Sequence, residues 1–318
     1  MQSEIPKIMK DFLVYLTTIK GKSLRTRKEY EYDLKLFFRF LKALEEDVDP
    51  SQIHMINISD INIEWMKEIT LEDIYLFMEY CEIQRKNSTA SRARKAATIK
   101  SFFKYLKGKR RLLEYNPADE LESPKIGKKK PIYMNQQEAE QFIAAIKRNN
   151  HYYRNFSMVM FFLNLGLRVS ELCNLSVHSI EGNLLSVIGK GDKERTVFMN
   201  NACLQSLEIY KEKERQYING ANNHDALFLS QKGTRLTRQT VAKIIKQINI
   251  DAGLQKENIT PHKLRHTSAT IMYKNGADIR SLQHILGHTS VSTTQIYTHV
   301  EDKEIQQVIE NNPFNHLG

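Results

Sequence analysis

Arginine, lysine, histidine and tyrosine recur in short segments of the second half of the chain. These are types suited to the attack of an oxygen nucleophile on the phosphorus of a negatively charged phosphate ester. The segments are Gly166-Leu167-Arg168-Val169-Ser170-Glu171-Leu172, Gly189-Lys190-Gly191, His262-Lys263-Leu264-Arg265-His266 and Leu286-Gly287-His288, with Tyr297 nine residues after His288. A planar guanidinium can clamp two phosphate oxygens. A tyrosine hydroxyl, with a pKa of about 10, needs help to act as a nucleophile. Read singly, each segment also has an ordinary explanation. Arg168 and Glu171 fit an i,i+3 surface pair, and Tyr297, one of fourteen tyrosines, fits a packing residue. Lys190 between glycines invites a phosphate-loop reading, but GxxxxGK[ST] is absent and the flanks read as strands. His262/His266 and His284/His288 have an i,i+4 spacing that suits a metal. Without a thiolate pair or HExxH, no metal site is assigned, and His284 receives no role.

In this order and spacing, the segments resemble those of the tyrosine recombinase (phage integrase) family, most closely its Xer-like bacterial members. The resemblance covers most of the chain. It implies that Arg168 and Arg265 hold the scissile DNA phosphate, with His288 donating a further hydrogen bond. Lys190 would protonate the departing 5′ oxygen, and His262 would assist proton transfer at the hydroxyl of the nucleophile, Tyr297. Glu171 would be a supporting carboxylate that orients a catalytic side chain, while His266 packs or hydrogen-bonds within the scaffold. A 3′-phosphotyrosine conserves the energy of the broken bond, so no cofactor, ATP or metal is implied. Strand exchange between two duplexes through a Holliday junction follows, serving chromosome dimer resolution or mobile-element integration. The residues alone leave two alternatives open: type IB topoisomerase-like relaxation, and DNA binding without catalysis.

The elements that must position these groups begin with a helical first half. Ser23 reads as an N-cap for a helix carrying Tyr30, Leu34, Phe37, Leu41 and Leu44 at three- and four-residue steps. Residues 45–70 are less regular. Thr70 caps a second helix through Ile74, Phe77, Met78 and Cys81, and a third begins near Ser88 with Ile99, Phe102, Phe103 and Leu106 on one stripe. Between Arg85 and Arg111 stand eleven Lys or Arg and no acid. Lys100, Lys104, Lys107 and Arg111 repeat at the spacing of that stripe, offset by one residue or about 100°. These four, with Arg92 and Lys95, are expected to meet a DNA backbone, since like charges at i,i+4 repel and normally alternate with acids.

Asn116-Pro117 breaks the helical pattern, and Pro124, Gly127, the triplet Lys128, Lys129 and Lys130, and Pro131 read as an extended basic linker. The expected division is a helical core-binding (SAM-like) domain over 1–120, a linker over 121–131 and a catalytic domain over 132–318. The fold class is mainly α, with a small antiparallel sheet formed by a hairpin over Asn183 to Phe198. Helices are expected at Gln136 to Lys147, through Met158, Phe161, Phe162 and Leu165 to Gly166, and throughout the region after Thr237.

The net charge is +10 over 318 residues, which favours nucleic acid as partner. Residues 1–130 carry 26 basic and 20 acidic side chains, leaving 21 and 17 for the remainder, so both halves are basic. Three scattered cysteines argue against a disulfide framework or thiolate zinc site. The N-terminus does not read as a signal peptide, and no apolar run approaches the ~20 residues of a membrane span. A cytoplasmic protein without a membrane partner is expected. Ile305, Val308 and Ile309 give the tail the pattern of a short amphipathic helix, whose default reading is folding back onto its own domain. The resemblance implies that this tail docks on a neighbouring protomer in a head-to-tail tetramer on two duplexes, made of one recombinase or of two.

Overall fold

The computed structural model describes residues 5–125, 127, 132–189, 193–219, 225–254, 259–287 and 294. Two compact units divide the chain, Met1–Lys128 and Lys129–Gly318.

The first unit is helical among its described residues: α1 (Lys7–Val14), α2 (Leu24–Glu45), α3 (Ile63–Lys67), α4 (Leu71–Ile83) and α5 (Thr89–Tyr105). Side-chain oxygens fix the starts. Ser23, Thr70 and Ser88 accept from the backbone N–H of Thr26, Asp73 and Ser91, relieving amides that a helix start leaves unpaired. At α4 the cap is reciprocal, since the Asp73 carboxylate accepts from the Thr70 N–H at 2.9 Å. The helices close on an aromatic core, with Phe37 against Phe77 at 5.1 Å and Phe12 against Phe102 at 5.2 Å between ring centres. Ile99, Phe102, Phe103 and Leu106 are buried, as their stripe predicts. Leu44, by contrast, is exposed.

The second unit contains α6 (Gln136–Ala144), α7 (Tyr152–Leu165), α8 (Val169–Asn174), β1 (Ile180–Glu181), β2 (Leu184–Ile188), β3 (Glu194–Phe198), α9 (Asn201–Lys213), α10 (Arg238–Asp251), α11 (Pro261–Lys274) and α12 (Ile279–Leu286). The strands form one antiparallel sheet in the order β1-β2-β3. The hairpin is as expected, while the two-residue β1 is an addition to it. Leu185 pairs with Val197, and Val187 with Arg195. Leu185, Val187 and Val197 are buried, so this face of β2 and β3 joins a core with Phe161, Phe162, Leu172 and Leu264. Cys81, Cys173 and Cys203 are buried free thiols, each pushed upward by burial, Cys203 to about 12.

Candidate active site

Arg168 and Glu171 occupy the first turn of α8. Helix α7 ends at Gly166, whose φ of +59° is a left-handed conformation that glycine adopts without a Cβ penalty. Space gives a second reason for glycine: a Cβ there would stand 2.7 Å from Leu286 Cδ2 and 3.3 Å from Ser268 Oγ. The chain then turns so that Arg168 becomes the N-cap of α8. The Glu171 carboxylate accepts from the Arg168 backbone N–H at 2.8 Å and from its guanidinium at 2.6 Å. The i,i+3 pair anticipated from the sequence therefore exists, but Glu171 is only 2% exposed.

A buried carboxylate without partners is costly, and Glu171 has several. Arg195 on β3 donates to both of its oxygens, Nη1 to Oε1 and Nη2 to Oε2, each at 2.9 Å. Arg265 on α11 places Nη1 3.8 Å from Oε2. Burial alone would raise the Glu171 pKa; the hydrogen bonds and charges of Arg195 and Arg168 overcome this and hold it below the usual glutamate range.

The same three guanidiniums cap the end of α12. Arg195 Nε donates to the Ile285 carbonyl at 3.0 Å, Arg265 Nη2 to that of Leu286 at 2.5 Å, and Arg168 Nη2 to that of Gly287 at 3.2 Å. Three consecutive carbonyls at a helix C-terminus, which carry partial negative charge and lack helical partners, thus each receive a cation. Arg265 also donates to the Gly166 carbonyl at 2.6 Å, joining the ends of α7 and α12 through α11. Three guanidiniums against one carboxylate leave two net positive charges here. Arg195 and Arg265 are nearly enclosed, whereas the Arg168 side chain is 34% exposed and can meet an external anion.

Helix α11 starts at the Thr260 cap with Pro261 in its first turn, where a missing N–H costs nothing. Its first two turns carry His262, Arg265 and His266. The two imidazoles touch, Nε2 to Nε2 at 2.9 Å. Burial first, then Arg265 and Arg168, lower the His262 pKa, leaving a neutral ring able to accept a proton. Burial, then His262 and Arg265, lower that of His266 to about 4.

Lys190, His288, Tyr297, Lys128, Lys129, Lys130 and the tail after residue 301 lie outside the described residues. Of the sequence-expected groups, Arg168, Glu171, Arg265 and His262 share one neighbourhood. Arg195 was not singled out from the sequence. Its signal was available: alternation on β3 puts Val197 and Arg195 on one face, and directly paired residues share a face, so a charge opposite buried Val187 had to find a buried partner.

The basic helix of the first unit departs from expectation at Lys95 and Arg92. Lys95 was expected to face DNA, but it is 3% exposed, with its ammonium 3.3 Å from the buried Asp33 carboxylate. Lys95 lies four residues before Ile99, on the apolar stripe itself. Arg92, seven before Ile99, is partly enclosed and pairs with Glu82 at 2.6 Å. Arg94 shares Asp33, and Lys107 lies 3.5 Å from Asp119. Lys104 and Arg111 are exposed and Lys100 is half-buried. Neither Lys100 nor Lys104 has an acidic partner among the described residues.

A family profile described as "Phage integrase family" matches residues 133–304, and one described as "Phage integrase, N-terminal SAM-like domain" matches residues 9–110. Tyrosine recombinase XerC of Caldanaerobacter subterraneus subsp. tengcongensis is 41% identical over 313 residues, 98% of this chain and 88% of the relative. Tyrosine recombinase XerD of Listeria monocytogenes is 34% identical over 307 residues, 95% of this chain and 96% of the relative. Among solved structures, the XerA recombinase aligns with a TM-score of 0.51 at 31% identity, covering 96% of this chain and 98% of that one. The Tn1549 transposon integrase in complex with a circular intermediate DNA aligns with a TM-score of 0.71, covering 97% and 100%. At 18% identity, that likeness concerns the fold alone.

Proposed function

Because the chain belongs to the phage integrase family and is a tyrosine site-specific recombinase, we propose that the arginine–glutamate cluster is its DNA-cleavage site. Arg168 and Arg265 grip the non-bridging oxygens of the scissile phosphate, with His288 adding a third donor. Fixed donors facing developing charge are each worth about 3 kcal/mol of barrier. Neutral His262 assists removal of the Tyr297 proton as the hydroxyl oxygen attacks phosphorus. Lys190 protonates the departing 5′ oxygen. The resulting 3′-phosphotyrosine is reversed by a 5′ hydroxyl from the second duplex. Two such rounds exchange both strands through a Holliday junction. Exchange between sites on one circle resolves a dimer or excises a segment; exchange between separate molecules integrates one. No helix among the described residues is long and apolar enough to cross a membrane, and the cytoplasm, where chromosomal DNA lies, is the proposed compartment.

The observation that carries this reading is the shared seating of Arg168 and Arg265. They lie on different helices, share Glu171, and cap the Gly287 and Leu286 carbonyls immediately before His288 in sequence. Exposed Lys104 and Arg111, with Lys100, Lys107 and the lysines at 128–130, are the proposed backbone contacts that hold the duplex.

Recombination and relaxation separate in one assay. A plasmid with two sites selected by the protein from a random duplex pool should yield exchanged products, and a site-less plasmid should stay supercoiled. Relaxation of the site-less plasmid at substoichiometric protein would refute the recombinase reading. The proposed assembly is a tetramer on two duplexes, linked by the tail. Deleting residues 303–318 should spare binding to a single site and weaken pairing of two sites; unaltered pairing would refute that part.

A further inference from the structure

The roles proposed above leave Arg195, whose side chain is 9% exposed, without a function. Arg195 is held at both ends: its fork covers both Glu171 oxygens, and its Nε is fixed on the Ile285 carbonyl. Its side chain also lies close against Gly287, where φ is +61° and an added Cβ would stand 2.9 Å from Nη1 and 3.1 Å from Cδ and Cζ. Glycine at 287 thus makes room for Arg195 as well as ending α12. The root of the β2–β3 hairpin is close by, since a Cβ added at Gly189 would be 3.6 Å from Glu171 Oε1.

We propose that Arg195 is a positioning residue for strand cleavage. It shares the Glu171 carboxylate with Arg168, so that the exposed side of the Arg168 guanidinium stays turned toward the scissile phosphate, and it fixes the end of α12 from which the chain continues into His288. The inference rests on the recombinase reading.

The physical reason is competition for one carboxylate. Glu171 Oε1 accepts from both Arg168 and Arg195. While Arg195 supplies two parallel charge-assisted bonds, the carboxylate is satisfied without drawing Arg168 further inward. Replacing the fork by a lysine ammonium keeps the charge but gives up the bidentate geometry and the bond to Ile285. Glu171 then leans on Arg168, the one guanidinium of the three that is substantially exposed, and draws it away from the substrate. Arg195 touches no phosphate in this account, so its loss should resemble a weakened Arg168 rather than a lost proton donor.

The test uses full-length protein and nicked suicide duplexes bearing the pool-selected site. One duplex has an ordinary scissile phosphate and the other a methylphosphonate, which lacks the non-bridging charge that guanidiniums neutralise. Rates of adduct formation are read at saturating protein. Arg195→Lys should form adduct about 100-fold more slowly on phosphate, the scale of a misplaced catalytic group. On methylphosphonate it should come within about fivefold of wild type, so the ratio of the two rates rises at least tenfold. Arg168→Lys should show the same signature, and Lys190→Ala should not. In a Glu171→Gln background, Arg195→Lys should add a smaller loss on phosphate than it does alone, because the shared Glu171 contact is already weakened and the Ile285 bond is what remains to be lost. A merely structural role lowers both substrates by one factor and leaves the ratio unmoved; that result, or an undiminished rate on phosphate, overturns the proposal. Failure of wild type to form any adduct on phosphate would instead overturn the recombinase reading, and this inference with it.

Discussion

Replacing Glu171 by glutamine keeps its volume and removes the one negative charge among three guanidiniums. Glu171 accepts four hydrogen bonds, one from the Arg168 backbone and three from guanidiniums, with a fourth guanidinium contact at 3.8 Å. A glutamine offers a single acceptor oxygen, and its NH2 must face groups that also donate. Breaking a buried ion pair by removing one partner costs about 3–5 kcal/mol. The lower end applies, because Arg168 is 34% exposed and can turn to water, while the enclosed Arg195 and Arg265 still donate to the Ile285, Leu286 and Gly166 carbonyls. The expected loss is therefore about 3 kcal/mol, a large share of ordinary domain stability. The pH dependence follows from the depressed Glu171 pKa. The carboxylate stabilises the fold fully above the unfolded glutamate value of about 4.3, and this contribution is lost as pH falls through the lower folded value. Glu171→Gln should thus cost its full amount at pH 7.5 and progressively less below about pH 4.3. Urea unfolding of the full chain by far-ultraviolet circular dichroism, in phosphate-free buffer, measures both. A loss under about 1 kcal/mol at pH 7.5, or one that does not shrink in acid, would refute an ionised carboxylate as the centre of the cluster.

Other substitutions probe separate parts of the account. Gly166→Ala combines a left-handed φ, costing about 1–2 kcal/mol, with the 2.7 Å approach to Leu286; a urea midpoint shift below the equivalent of about 0.5 kcal/mol would contradict it. Lys104→Ala should weaken DNA binding and reduce the slope of log affinity against log salt by about 1. Lys95→Met should leave that slope unchanged and cost about 1–2 kcal/mol of stability, since Asp33 keeps Arg94 and Thr98; the opposite assignment would restore Lys95 to the DNA face. His266 has a folded pKa of about 4, below its unfolded value of about 6.5. Its contribution to stability is present above about pH 6.5 and is lost as pH falls toward about 4. His266→Leu should therefore show a smaller drop in Tm between pH 7.5 and pH 5 than wild type, and equal drops would remove histidine burial as the cause.

Local signals explain what was legible beforehand. Ser23 and Thr70 each announce a helix because a short polar side chain can satisfy an unpaired amide, and each caps one here, as Ser88 and Thr237 also do. Strand-like flanks around Gly189-Lys190-Gly191 announce the β2–β3 hairpin, whereas the two residues of β1 are too few to carry a period. The errors concern charge and long-range pairing. Counting eleven cations and no acid in one window ignores acids delivered by other elements, and Asp33, sixty-two residues before Lys95, is such a case. Spacing from Ile99 would have placed Arg92 and Lys95 on the packed stripe. Arg195 escaped because its partners, Glu171 and Ile285, are 24 and 90 residues away. Strand alternation marked its face but could not name what it meets there.

The most direct test of the central claim is covalent capture on a nicked suicide duplex bearing the pool-selected site. Wild type should form a protein–DNA adduct resistant to denaturant, without metal or ATP, with the attachment mapping to the peptide that contains Tyr297. Tyr297→Phe should bind the same duplex and form none. An adduct that survives this substitution, or no adduct from wild type, would contradict the account.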